Sequence, residues 1–279
     1  MTVKPFANKL QLKNDGQLSL FFVGTGSAFS KTNYQNNLLV IKGDVHILID
    51  CGTLCPYVLE TQYNTKISEI RNVILTHPHA DHIGGVEEMV LIGKYVTKAP
   101  VNIFIPKPFK KKLWNESLRG GIQYSENGVM KFEDYFKEIP NERIQKKPFD
   151  IFHTELGTLD IKLFRTRHVT VSEKSLRNSQ QSYGILLDEK ILFTGDSQFN
   201  ESQLRYMLSK YPSIEYIFHD CDVSGYSAGV HASYDQLCTL PPDIRAKMYL
   251  CHYNEAVNNI DALVDGFAGL AKNGVYYYF

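Results

Sequence analysis

Four residues within six positions, His77, His79, Asp81 and His82, form the pattern H-x-H-x-D-H in a chain with only nine histidines. One chance occurrence at this composition has odds on the order of one in two thousand. Imidazole nitrogen and carboxylate oxygen are donors for zinc, and equally for iron, manganese or nickel. A loop of this spacing cannot easily wrap all four groups around one cation. Two cations sharing the loop, with further ligands from distant strands, is the better geometry. Three residues that end strand-like runs suit that role: His168 in "LFRTRHV", Asp196 in "FTGDS" and His252 in "YLCHY". Asp196 has two carboxylate oxygens and can bridge two cations, which a neutral imidazole cannot do. Taken singly, a strand-end histidine is more often solvated than a ligand, and an aspartate after glycine is usually a turn former. The dense motif reverses those odds.

The elements that must position these groups alternate between short β-branched or aromatic runs and amphipathic segments. "LSLFFVG" (18–24) reads as a strand leading into the turn "GTGSA", whose glycines permit a tight bend. "NLLVIKGDVHILID" (37–50) reads as a hairpin turning at Lys42-Gly43-Asp44. "NVILTH" (72–77) is a buried strand delivering His77, and the spacing of Val86, Met89, Val90 and Gly93 predicts a helix to about Tyr95. Strands resume with "FDIFHTEL", "LDIKLFRTRH", "SYGILLD" and "KILFTGDS". The helix "ESQLRYMLSKY" then links "ILFTGD" to "IEYIFHD" as a β-α-β unit and stops before Pro212. "KMYLCHY" (247–253) is the last clear strand, followed by a predicted amphipathic helix using Val257, Ile260, Val264 and Phe267. Residues 98–150 mix lysines, aromatics and prolines without a clear core period. They read as an insertion attached to the main scaffold.

Thirty basic and thirty acidic residues cancel in a chain of 279, so no global field draws the protein to nucleic acid or membrane. DNA is not an expected partner, and any polyanion contact must come from a local patch. Neither a signal-peptide-like apolar run nor a membrane-span-length segment is found, which sets the cytoplasm as the expected location. Five scattered cysteines do not form a disulfide framework and read as buried reduced thiols. The order H-x-H-x-D-H, later His, later Gly-Asp, final His resembles the metallo-β-lactamase-fold hydrolases. "FVGTGSAF" and "ILIDCGT" are similar to that superfamily's opening strand and to the aspartate-ending strand before its metal loop.

The resemblance implies an α/β fold: an αββα sandwich of two mixed β-sheets packed face to face with helices outside. Residues 1–279 would form a single domain of this fold, with the insertion at 98–150. It also implies two divalent metal ions, Zn2+ first and Mn2+ or Fe as alternatives, held by His77, His79, Asp81, His82, His168, Asp196 and His252. "FHDC" (218–221) followed by "GVHASYDQL" (229–237) resembles the late motifs of the ribonuclease Z and phosphodiesterase branch. Carried over, His231 would be a non-ligand histidine near the leaving group and Asp220 would orient it. Alternatively, His231 caps the helix that begins near Ser233. Ribonuclease Z has a glutamate where Asp220 stands and "GDT" where this chain has "GDS". It also has a long Gly/Pro-rich tRNA-gripping arm that this chain lacks.

Such a centre makes hydroxide available near neutral pH and polarises a phosphoryl oxygen. Asp81 would hold the water or receive its proton, and His231 would protonate a departing alkoxide. The expected reaction is hydrolysis of a phosphodiester, in a small nucleotide or an RNA. The alternatives are a lactone or thioester hydrolase, an iron-dependent redox enzyme, and a metal-stabilised binding protein. Arg165, Arg167, Lys174 and Arg177 either meet phosphate oxygens from a lid or belong to a solvated loop. A homodimer stays open.

Overall fold

Apolar runs with β-branched and aromatic residues fold here into two mixed eight-stranded sheets. They are seen in a computed structural model describing residues 1–171, 176, 179–225 and 229–279. The first sheet runs in the order Thr2–Pro5, Val275–Tyr278, Ser19–Gly24, Asn37–Lys42, Val45–Ile49, Asn72–Ile74, Val101–Phe104, Phe136–Glu138. Its first five strands are antiparallel neighbours and its last three join in parallel. The second has the order Glu142–Gln145, Ile151–Leu156, Leu159–Thr166, Ser182–Leu187, Ile191–Phe193, Tyr216–Asp220, Met248–Cys251, Gly269–Leu270. It repeats the plan, an antiparallel series followed by parallel neighbours.

The chain divides into two compact units, each built on one of these sheets with flanking helices. One comprises residues 1–24, 34–141 and 273–279; the other comprises 25–33 and 142–272. In the first, the strand Ser19–Gly24 is buried at every position and Asn37–Lys42 at all but its last. Strands buried throughout need near-continuous apolar sequence, which these runs supply. The hairpin turns at Gly43, whose φ of 62° favours glycine. In the second unit, Leu204 and Met207 of the helix Glu201–Lys210 join Leu192, Ile217 and Met248 in one core. Asn200 caps that helix by accepting the Gln203 N–H, an arrangement worth about 1 kcal/mol. The helix connects the parallel strands Ile191–Phe193 and Tyr216–Asp220, as the sequence predicts.

Three elements differ from expectation. The helix after Gly85 ends at Ile92 and continues to Thr97 as a wider π-type turn. The segment after His252 makes only a 3-10 turn, Glu255–Asn259. Val257 and Phe267 are buried there, but Val264 is exposed, so the apparent helical stripe is two separate anchors. The final strand, Val275–Tyr278, sits between Thr2–Pro5 and Ser19–Gly24 and lies beyond the last strand predicted. Strands within 98–150 pair in both sheets: Val101–Phe104 and Phe136–Glu138 in the first, Glu142–Gln145 in the second. Among the described residues no helix is long and apolar enough to cross a membrane, and all five cysteines are free thiols.

Candidate metal centre

The first donor set sits on the loop and short helix that follow the parallel strand Asn72–Ile74. His77 lies three residues beyond that strand, and Asp81 and His82 fall within the single helical turn Ala80–Ile83. His77, Asp81 and His82 are buried, and His79 is half-buried. A neighbouring carboxylate fixes the ring orientations. Asp50 accepts the Thr76 N–H and hydroxyl, each at 2.7 Å, and His82 Nδ1–H at 2.7 Å. The Thr76 hydroxyl, donating to Asp50, lies 3.0 Å from His77 Nδ1 and is placed to accept its proton. Both rings are thereby held with Nδ1 protonated, which makes Nε2 the lone-pair nitrogen of each. This is the carboxylate-histidine support that metal-ligating imidazoles use. The His77 Nε2 and His79 Nδ1 atoms lie 3.0 Å apart, and His82 Nε2 lies 3.1 Å from Asp81 Oδ2.

Backbone zipping brings the loop after Asp50 against the short helix. The Cys51 N–H donates to the His82 carbonyl at 2.8 Å, and the Gly85 N–H to the Cys51 carbonyl at 2.9 Å. A Cβ on Gly52 would overlap the Asp81 carbonyl, so only glycine admits this approach. Asn37 spans the junction, accepting the Gly52 N–H and donating to the Asp81 carbonyl.

The second donor set is assembled from five separate places. His168 follows the strand Leu159–Thr166, and Asp196 follows Ile191–Phe193. Asp220 ends Tyr216–Asp220, and His252 follows Met248–Cys251. The last three occupy carboxyl ends of parallel strands, where α/β sheets place their ligands. Asp196 Oδ2 lies 3.3 Å from His252 Nε2 and 4.0 Å from both His168 Nε2 and His231 Nδ1. His168 donates Nδ1–H to the Val230 carbonyl at 2.8 Å. Burial pushes its imidazole down to about 4, so Nε2 carries a lone pair at neutral pH. One donor atom from each of Asp196, Asp220, His231 and His252 falls within 4.8 Å of the others. Buried nitrogen and oxygen donors converging on a carboxylate, with Nδ1 held on His168, are a chemically suitable cradle for divalent cations.

His231 has a different environment. Its Nδ1 donates to Asp220 Oδ2 at 2.7 Å, and its ring stacks on His252 at 4.8 Å between centroids. Burial opposes the charge on His231, but Asp220 outweighs it and holds the imidazole above its ordinary range. Burial alone would raise Asp220. The charge and hydrogen bond of His231, with a further bond from His252, hold it down at about 2. Asp220 also accepts the Ser197 N–H at 2.9 Å. The helix Tyr234–Cys238 is capped by Ser233, whose hydroxyl accepts the Gln236 N–H. The cap expected as an alternative role for His231 is therefore filled by another residue.

A profile of the family described as anti-Pycsar protein Apyc1 matches residues 18–277. This chain belongs to that family. The relative so named from Paenibacillus xerothermodurans is 34% identical over 238 residues, covering 85% of this chain and 88% of its own. A second, from Bacillus phage vB_BsuM-Goe3, is 33% identical over 249 residues, with 85% and 90% covered. Among solved structures, a diphosphatase of the PhnP family superposes with a TM-score of 0.67 at 15% identity, covering 94% of this chain and 98% of that one. Human tRNase Z, short form (ELAC1), gives 0.60 at 16%, covering 93% and 98%. YhfI from Bacillus subtilis, a metallo-β-lactamase fold protein, gives 0.66 at 15%, covering 94% and 100%. The fold of this anti-Pycsar family member is the metallo-β-lactamase fold.

Several supporting residues escaped sequence reasoning. "ILIDCGT" drew attention as a motif, yet the role of Asp50 as an anchor for Thr76 and His82 depends on a bond across 32 positions. Arg165, expected at a phosphate or in solvent, is buried. Its guanidinium donates to the carbonyls of Thr166, Ser182 and Ser179 at 2.7–3.0 Å, which binds the strand end and the following loop together. Arg167 reaches the Phe199 carbonyl at 3.5 Å. Lys174 and Arg177 lie outside the described residues.

Proposed function

We propose that this protein is a dinuclear metal-dependent phosphodiesterase acting on a nucleotide or RNA phosphodiester. Seven residues would hold the two divalent cations: His77, His79, Asp81, His82, His168, Asp196 and His252. Zinc is the first choice for this nitrogen and oxygen set, and manganese and iron suit it as well. When bound, such cations supply a nucleophile at neutral pH and stabilise charge building on the phosphoryl group. Asp81 orients the attacking water and receives its proton. Asp220 fixes His231 through Nδ1, which leaves Nε2–H to protonate the departing alkoxide.

The observation carrying this reading is the His231–Asp220 pair at 2.7 Å beside Asp196 and His252. A charged imidazole there suits a leaving group that needs a proton. Phosphodiester alkoxides need one, whereas thiolates leave without help. The test is hydrolysis of a cyclic nucleotide and a short RNA by metal-loaded protein, beside His231→Ala. Turnover that falls sharply in the variant supports the reading. Lactone or thioester turnover indifferent to His231 overturns it.

A further inference from the structure

The turn Ser27-Ala28-Phe29-Ser30 closes with the Ser30 N–H on the Ser27 carbonyl at 3.0 Å. Turn centres favour glycine, asparagine, aspartate and serine. This one carries a phenylalanine that is 88% exposed. Its loop is firmly tied down. The Thr25 N–H donates to the Asn33 carbonyl at 2.9 Å, and the Ser27 N–H to the Tyr253 carbonyl at 3.0 Å. The Ser30 and Thr32 hydroxyls both donate to Glu255 Oε1, at 2.8 and 3.3 Å. Thr25 Oγ1 pairs with the Tyr253 hydroxyl at 2.9 Å, and the His252 N–H donates to the Thr25 carbonyl at 2.7 Å. The loop and the segment carrying His252 are thus one hydrogen-bonded piece.

Phe29 lies two positions after Ser27, so its Cα stays within about 7 Å of that anchor. The ring is therefore tethered through this loop to the segment that carries His252. An aromatic face kept in water on a tethered loop sacrifices little further freedom when a second ring stacks on it. Nothing in the turn itself calls for a phenylalanine.

We infer that Phe29 is a specificity-determining residue whose ring stacks on the base of a nucleotide phosphodiester held at the metal centre. The favoured substrates are then base-bearing phosphodiesters; the position of the phosphate rests on the phosphodiesterase reading above. The test compares metal-loaded wild type, Phe29→Ala and Phe29→Trp with two ligands, a 3′,5′-cyclic nucleotide and ribose 3′,5′-cyclic phosphate, which lacks a base. Calorimetry gives Kd, and initial rates give KM and kcat. Phe29→Ala is expected to raise Kd and KM for the nucleotide roughly five- to hundredfold. Its kcat and its handling of the base-less ligand stay unchanged. Phe29→Trp retains nucleotide affinity, and its added indole emission, above that of the single native Trp114, is quenched by the nucleotide alone.

Equal losses for both ligands, no loss for either, failure of the wild type to bind nucleotide, or added indole emission in Phe29→Trp that the nucleotide leaves unquenched would each overturn the inference. Nucleotide binding that depends on Phe29 without any hydrolysis would keep the stacking role and remove the phosphodiesterase reading. Hydrolysis indifferent to Phe29 would do the reverse.

Discussion

In the first unit, three histidines and an aspartate lie within six residues on one loop and one helical turn. In the second, His168, Asp196, Asp220 and His252 lie at or beyond four different strands, and His231 lies in the loop before the helix Tyr234–Cys238. The first set is organised by a single buried carboxylate, Asp50, which holds His82 and, through Thr76, faces His77. The second is organised by two: Asp196, approached by three imidazoles, and Asp220, which joins His231 and His252. A local motif needs one anchor because the chain itself keeps its members together. A dispersed set needs carboxylates that reach several elements, since only strand register and hydrogen bonds fix its geometry.

The contrast predicts that damage to the second set is worse. Asp196→Ala is expected to lower kcat/KM about 10³-fold or more and to reduce bound metal, read by rates and elemental analysis. Retention of both metal and rate would dissolve the distinction between the sets. His231→Ala is expected to cost about 10²- to 10³-fold in kcat on a nucleotide. The loss should be far smaller on bis(p-nitrophenyl) phosphate, whose leaving group departs without a proton. Equal losses on the two substrates would make His231 a binding residue instead of an acid.

On the side of the first set, Asp50→Asn keeps the size and removes the charge that holds His82. Metal affinity in a chelator competition is expected to fall about ten- to hundredfold, with the fold intact by circular dichroism. The pH profile separates the roles of the two carboxylates in the second set. His231 must be protonated to act as an acid, so nucleotide turnover falls as pH rises through its pKa, which Asp220 holds above the ordinary value. Asp220→Asn removes that support and should move the alkaline limb to lower pH. Ser233→Ala should do least, costing about 1 kcal/mol of stability in denaturant titration with kcat unchanged, because the cap of its helix is separate from His231.

The first cluster is legible in the sequence because its three histidines, its aspartate and the strand before them occur in one stretch. His168, Asp196 and His252 became readable only through that stretch and the family order it evokes. Asn37, and the bonds that Asp50 makes to Thr76 and His82, are silent in the sequence because the partners lie 15 to 44 positions away. Arg165 misled for a related reason: an arginine beside a candidate ligand looks like a phosphate contact, and only the folded chain shows its donors spent on carbonyls. In the fold, hairpins and the β-α-β unit follow from alternating and apolar runs. Val275–Tyr278 does not, since its pairing with Ser19–Gly24 and Thr2–Pro5 joins the two ends of the chain. The apolar stripe after His252 suggests a helix by its spacing, yet separate turns bury Val257 and Phe267 and leave Val264 exposed.

The most direct measurement is metal per chain and bis(p-nitrophenyl) phosphate hydrolysis on the same chelated and zinc-reconstituted samples. Wild type would be compared with Asp81→Ala and His252→Ala, one variant from each donor set. The account predicts two equivalents of metal per wild-type chain and activity that disappears on chelation and returns with zinc. Both variants should lose metal and rate together. Hydrolysis that survives chelation, full loading without hydrolysis, or either variant retaining both cations and full activity would contradict it.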